Sequence, residues 1–349
     1  MQKNHWLILL IMVLLTGCIE EGQRDNGERE TKENDFQENA ENLMQKNFLF
    51  EAGTDSLSLT VSLDTMLREK YRQAPHTYTY QGNKLPAGWR EEYYQMFIQH
   101  PEDKRVIANL LAGLKQMRPG GTPDELAELA VSFVQGSITY DWHTYHNIDQ
   151  SQIRYPYETL IDGTGVCADK TILLARILDE LGYGLAIFTF ERANHMALGL
   201  QVPSGYDNYR SGFAFVESTN YAPIGRIPDN YVGGLKLDAR PSVIRVNSGG
   251  KSFDKIVANR AEEKELEKKY GKEYFFLTAE QRELKVEMYQ LEQELDSLKK
   301  ELKGCRGTLP QDKFERCNKL QEEHNSRVEK YNGLVARFNS LNERNLPPA

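Results

Sequence analysis

The chain is poor in the features that most quickly assign a protein. Positive charge is in deficit: 43 Lys and Arg stand against 51 Asp and Glu, a net charge of -8, and no basic stripe runs along any segment. Binding to phosphate backbones needs a basic face, so nucleic acid is excluded as a main partner. No apolar run reaches the roughly 20 residues that a bilayer-spanning helix needs, and residues 6–15 fall well short. Metal-ligand sets are missing too. His143 and His146 stand three apart, but no Cys or carboxylate completes a ligand set of the HExxH kind around them. That segment reads as a wet, polar loop, and no metal or cofactor is implied. Cysteine is scarce, and the four present, at 18, 167, 305 and 317, can be accounted for singly.

What is present begins at the N-terminus. Lys3, the apolar run, and then Leu15-Thr16-Gly17-Cys18 follow the basic, apolar and small-residue order of an export signal. The last four resemble a bacterial lipoprotein lipobox, whose cysteine becomes the lipidated first residue of the mature chain. The resemblance implies an extracytoplasmic protein held on the cell membrane through Cys18, with more than one acyl chain, as stable anchoring requires. With Cys18 so used, Cys305 and Cys317 lie close together in one turn region and are the natural disulfide pair outside the cytoplasm. Cys167 is left as the free thiol.

Composition then divides the chain. Residues 19–45 are rich in Glu, Asn, Gln, Lys and Gly and cannot bury enough surface to offset ordering, so a flexible tether is expected. Residues 46–121 form a mostly helical lead-in: an alternating edge strand at 57–63, then helical periodicity at 89–97 and 103–117, closed by Pro119-Gly120-Gly121. Residues 122–250 carry the principal domain. Thr122-Pro123-Asp124-Glu125 is an N-cap, a first-turn proline and acidic residues opening a helix. An aromatic, polar loop at 141–157 leads to a helix beginning near Cys167, and strands are expected at 184–190, 195–202 and 212–219. A further strand is expected at 243–246, in a segment that wraps back on the domain. One helix followed by an antiparallel meander predicts an α+β architecture. Residues 254–345 are helical, with Leu284, Met288, Leu291, Leu295, Leu298 and Leu302 stepping by four and three as a heptad seam. Phe314, Val328, Tyr331, Val335 and Phe338 give a second seam. This predicts a coiled-coil hairpin turning at 304–311, where Cys305 and Cys317 would staple it, and available for self-association or a partner helix.

The stretch that carries chemistry is Gly163-Thr164-Gly165-Val166-Cys167-Ala168-Asp169. It sets a cysteine at a glycine-rich turn where a helix starts, and there unpaired backbone N–H groups and the positive end of the helix dipole favour a thiolate. Asp169 reads as a helix-start residue. A cysteine nucleophile needs a base and a group to orient it. His195, at a strand start, and Glu217, near a strand end, supply both.

Gly-x-Cys-x-Asp, an apolar helix ending in Gly182-Tyr183, a strand-borne histidine and then Val216-Glu217-Ser218-Thr219 together resemble the transglutaminase-like superfamily of papain-type folds. The resemblance covers residues 122–221 and says nothing of the helical tail. It implies a papain-like core, with the cysteine helix packed on an antiparallel sheet, Cys167 as nucleophile, His195 as its base and Glu217 orienting the histidine. Tyr140 resembles the tyrosine that often ends the helix before the cysteine loop. Two positions depart from the family pattern: Glu217 stands where Asp is usual, and Met196-Ala197 follows the histidine in place of Ala-Trp. The oxyanion donors would be the backbone N–H of Cys167 and a loop side chain, Tyr155 or Tyr157.

The function so implied is a membrane-anchored cysteine enzyme that attacks amide or peptide bonds of a protein or peptide in the cell envelope, through a thioester. Resolution by water, as in a protease or amidase, and by an amine, as in an acyl transferase, both remain open. Two other classes fit the chain: a non-catalytic, lipid-anchored scaffold that binds partners through its coiled coil, and a structural envelope protein with the coiled coil as spacer.

Overall fold

Apolar residues at every second position build the first element. The computed structural model describes residues 42–147, 152–229, 236–237, 239–247 and 249–344, so the export signal, Cys18 and residues 19–41 of the expected tether lie outside them. Strand β1 (Leu43–Ala52) pairs antiparallel with β2 (Asp55–Asp64), in a register running from Leu43↔Asp64 to Ala52↔Asp55. Strand β1 therefore begins at Leu43, inside the stretch expected to be tether. Phe48 and Phe50 on β1 and Leu59, Val61 and Leu63 on β2 are buried, and the backbone ladder carries the pairing outward from them. The lead-in is thus a β-hairpin followed by helices.

Those helices are α1 (Thr65–Gln73), α2 (Trp89–Ile98), α3 (Lys104–Met117) and α4 (Pro123–Ser137). The expected cap on α4 is present: Thr122 Oγ1 accepts from Glu125 N at 3.2 Å, and the Glu125 carboxylate accepts from Thr122 N at 2.8 Å. The stretch at 141–157 is less loop-like than its polarity predicts. Asp141 accepts from Thr144 N at 2.9 Å and starts the short helix α5 (Trp142–His146), and Pro156 sits in the first turn of α6 (Pro156–Asp162).

Helix α7 (Cys167–Glu180) lies at the centre of the molecule, with Ile172, Leu173, Leu174, Ala175, Ile177 and Leu178 all fully buried. Two glycines make its entry. Gly163 ends α6 at φ 71° and donates to Thr159 O at 2.9 Å. A Cβ on Gly165 would stand 2.8 Å from Asp169 Cβ, so only glycine lets Asp169 fold back over the turn. A short parallel pair, β3 (Thr139–Tyr140) with β4 (Thr164–Gly165), sets Tyr140 beside this entry.

Helix α7 packs on α4, α6 and a four-stranded antiparallel sheet in the order β7-β6-β5-β8, formed by β5 (Leu185–Phe190), β6 (His195–Gln201), β7 (Phe213–Val216) and β8 (Ser242–Arg245). The last strand returns across the domain to pair with β5, from Ala186↔Arg245 to Thr189↔Ser242. The fold is α+β. No helix of the described residues is long and apolar enough to cross a membrane.

The C-terminal region differs from the expected hairpin in its first third. Helix α8 (Ile256–Tyr270) is not part of a coiled coil but lies on the core: Ile256 is fully buried, and Asn259 and Lys255 reach Glu128 of α4. Arg226 clamps it from the other side, donating to Glu263 at 2.8 Å and Glu267 at 2.7 Å while stacking over Phe275. The hairpin proper is α9 (Ala279–Leu302) and α10 (Gln311–Arg344), with Leu284, Leu291, Leu295 and Leu298 buried along its seam. Pairs Arg337–Glu280, Lys330–Glu287 and Arg327–Glu294 run in opposite directions along the two helices, as an antiparallel pair requires. A disulfide joins Cys305 to Cys317 across the turn, with the two Cα atoms 5.7 Å apart.

Candidate active site

Three elements deliver three side chains to one place. Cys167 is the first residue of α7 and is 8% exposed. Its Sγ lies 3.9 Å from the carbonyl oxygen of Asn194, a residue at φ 44°, in the left-handed region that asparagine tolerates better than most. That turn of the backbone aims the next residue, His195, into the site at the start of β6. Strand β7 pairs Val216 with Leu198. Glu217 follows directly on the end of that strand.

His195 Nε2 stands 3.2 Å from Glu217 Oε2, and the imidazole also hydrogen-bonds with Cys167. With Nε2 committed to the carboxylate, Nδ1 is the ring nitrogen left for the thiol. The other oxygen of Glu217, Oε1, accepts from Ser218 N at 2.9 Å, Thr219 N at 2.8 Å and Thr219 Oγ1 at 2.6 Å. Burial of Glu217 alone would raise its pKa, but the charge on His195 and the hydrogen bonds from His195 and Thr219 hold the carboxyl below its usual range. Burial likewise works against a charge on His195. The Glu217 carboxylate and the hydrogen bonds with Cys167 and Glu217 outweigh it and push the imidazole up to about 10.

Around these three lies a shell of buried polar groups. Thr171, one helical turn after Cys167, bonds through Oγ1 with Met196 O at 3.2 Å and Ser218 Oγ at 3.0 Å. One hydroxyl so ties the cysteine helix to the residues that follow His195 and Glu217. Gln135 of α4 donates to Glu217 O at 2.8 Å and to Ala222 O at 3.0 Å. Lys170, 1% exposed, donates to Ile138 O at 2.5 Å and Gln135 O at 3.4 Å. Burial pushes its ammonium down to about 7, against the charge of Glu217. Asp169 has the structural role expected of it, accepting from Val166 N at 3.1 Å and Arg154 N at 2.9 Å. Burial pushes its carboxyl up to about 6.

No family model, curated protein or solved structure matches this chain. The site is therefore interpreted from its own geometry.

Cys167, His195 and Glu217 are brought together. Tyr155 and Tyr157 are not placed with them: both are buried, the Tyr155 hydroxyl donates to Pro75 O at 2.7 Å and that of Tyr157 to Asp64 O at 3.0 Å, and both rings pack on Tyr71. Their hydroxyls fix α6 to the lead-in, which corrects the expectation that one of them would serve an oxyanion. Tyr145 lines the cleft above Cys167, and Tyr140 pairs with Gly165 at the entry to α7. Burial, then the charges of Cys167, Tyr145, Glu217 and Asp169, raises the Tyr140 phenol well above the usual range, so it remains a hydroxyl donor. His146 in α5 uses Nδ1 on Trp142 O at 2.7 Å, and no cluster of three or more metal-ligating side chains occurs among the described residues. Thr171, Lys170 and Gln135 escaped sequence reading. Their one signal is a polar pair, Lys170-Thr171, set into an otherwise apolar helix face.

Above Cys167 and His195 opens a cleft of about 290 Å³, bounded by Tyr145 and Ile153 and by the turn from Phe190 to Asn194. The site is enclosed on the protein side and open to a ligand on the other.

Proposed function

We propose that the protein is a cysteine-nucleophile enzyme of the transglutaminase-like, papain-type kind, acting on amide or peptide bonds outside the cytoplasm while lipid on Cys18 holds it at a membrane. One observation carries the reading: a thiol at a helix start, hydrogen-bonded to an imidazole whose other nitrogen meets a carboxylate held by three further donors. A helix bearing the cysteine and packed on an antiparallel sheet that presents the histidine supports the papain-like comparison. The Leu15-Thr16-Gly17-Cys18 sequence supports the anchor.

The chemistry follows from the charges. His195 takes the thiol proton as the reaction begins, with Glu217 fixing the ring and balancing the imidazolium charge. The thiolate adds to the carbonyl carbon. The oxyanion that forms faces the Cys167 backbone N–H at the helix start, and the Tyr140 hydroxyl is assigned as the side-chain donor. As the C–N bond breaks, His195 returns its proton to the leaving amine and a thioester remains. Water or a second amine, deprotonated by the now neutral His195, attacks the thioester, the C–S bond breaks, and thiolate and imidazolium are restored.

Alkylation tests the reading directly. In the full chain, iodoacetamide is expected to modify Cys167 at pH 6 far faster than a free cysteine, whose pKa is about 8.5, and His195→Ala is expected to slow it strongly. Labelling no faster than that of a model peptide thiol, and indifferent to His195, would sink the proposal.

A further inference from the structure

A second hollow, of about 360 Å³, adjoins the Cys167 cleft. Gln152 and Ile153 line both and form their common wall. That wall is held in place. Ile153 O lies 2.7 Å from His76 Nδ1, and Arg154 donates from its backbone to Asp169, at the start of the cysteine helix, and from its guanidinium to Asp141 at 2.7 Å. On the far side Arg90, in the first turn of α2, lies 3.8 Å from Glu191, which borders the cleft. The turn before His195 and the start of α2 are therefore neighbours, and the two hollows lie side by side in one groove.

The second hollow has a different character from the first. Its sides are Tyr78, Leu85, Trp89 and Tyr93, with His76 at the back. The Tyr78 and Trp89 rings are 6.1 Å apart, and the hydroxyls of Tyr78 and Tyr93 are taken by Glu92 and by His76 O. The phenol oxygens thus have protein partners, and the rings are left as lining. Leu85 is 47% exposed although large and apolar. Apolar surface that a protein leaves open beside a polar reaction centre is typical of a site that takes an apolar group from its ligand.

We propose that this hollow is the side-chain subsite of the Cys167 cleft and takes an aromatic or large branched apolar side chain of an extended peptide substrate. The proposal rests on Cys167 being the nucleophile. It assigns the N-terminal lead-in, which lies outside the stretch resembling the transglutaminase-like family, the task of substrate selection.

The test uses the full chain in detergent and a panel of capped tripeptide vinyl sulfones carrying Phe, Leu, Ala or Asp at each position in turn. Cys167 labelling is read by mass spectrometry and expressed relative to iodoacetamide labelling of the same variant. At one peptide position, Phe and Leu are expected to label at least about tenfold faster than Ala or Asp, the discrimination an apolar pocket supplies. Leu85→Asp, at an exposed site where folding is not at stake, and Trp89→Ala should each reduce that preference below roughly twofold. Labelling by iodoacetamide that depends on His195 but shows no side-chain preference, or a preference untouched by both substitutions, overturns the subsite alone. Iodoacetamide labelling that ignores His195→Ala overturns the nucleophile and the subsite together.

Discussion

Glu217 performs two tasks with one carboxylate, and the two can be separated. Oε2 orients His195 while Oε1 organises the Ser218–Thr219 turn. Glu217→Gln keeps the shape and removes the charge, so the imidazolium loses its counter-ion and the thiolate its partner. Iodoacetamide labelling of Cys167 at pH 6 is expected to fall at least about tenfold, the change that one pKa unit represents. Lys170 gives a pH signature of its own. Its folded value, about 7, lies below the ordinary 10.5, so between these limits the unfolded chain binds a proton that the folded chain does not, and stability rises with pH. His195 has the opposite sign: its contribution is complete below its ordinary 6.5 and is lost as pH rises through about 10. Comparison with Lys170→Met isolates the lysine. Urea unfolding at pH 7, 8 and 9 should show the natural chain gaining on the variant by up to about 1.4 kcal/mol per pH unit; a constant difference would show that Lys170 does not titrate in that window. At this scale the sequence singled out Cys167, His195 and Glu217 as proposed nucleophile, base and orienting group, and the structure sets His195 Nε2 3.2 Å from Glu217 Oε2. The sequence did not distinguish Tyr140 from Tyr155 or Tyr157. Which way a hydroxyl points depends on packing, and Tyr155 and Tyr157 were claimed by carbonyls of the lead-in.

Thr171 is where α7, β6 and the end of β7 meet. Thr171→Val is nearly isosteric and removes the bonds to Met196 O and Ser218 Oγ, leaving buried polar atoms without partners. A loss of about 1–3 kcal/mol is expected in urea unfolding, together with slower Cys167 labelling, because the same hydroxyl sets the distance between the cysteine and histidine elements. A loss of stability with unchanged labelling would reduce Thr171 to a packing role. Elements with a strong period were readable: α2, α3 and α4 from their three-and-four spacing, β5 and β6 from their apolar runs. Strand β1 was hidden because Leu43, Met44 and Leu49 are apolar yet exposed, which blurs the alternation. Helices α5 and α6 were hidden because their starts rest on an aspartate side chain and a proline within a polar, aromatic stretch.

Charged contacts join α8 to the core beside the apolar packing of Ile256, and composition could not reveal them. The charge-rich run over 254–345 suggests a coiled-coil hairpin throughout, whereas Arg226 draws α8 onto the core through Glu263 and Glu267. Arg226→Ala is expected to speed amide exchange along α8, read by hydrogen–deuterium exchange, with α9 and α10 near the disulfide unaffected. Uniform exchange in both chains would mean that apolar packing at Ile256 alone holds the helix.

The Glu51 contact bears on how the molecule comes to be folded. Glu51 N donates to Tyr221 OH at 3.1 Å, and its carboxylate accepts from Ala279 N, 228 residues further on, at 2.9 Å. The first hairpin therefore receives a bond from a helix 228 residues further along the chain. A chain leaving the ribosome has made β1 and β2 before either partner exists, and contacts of such wide separation close slowly. Completion of the hairpin thus waits until residue 279 and the start of α9 have been made.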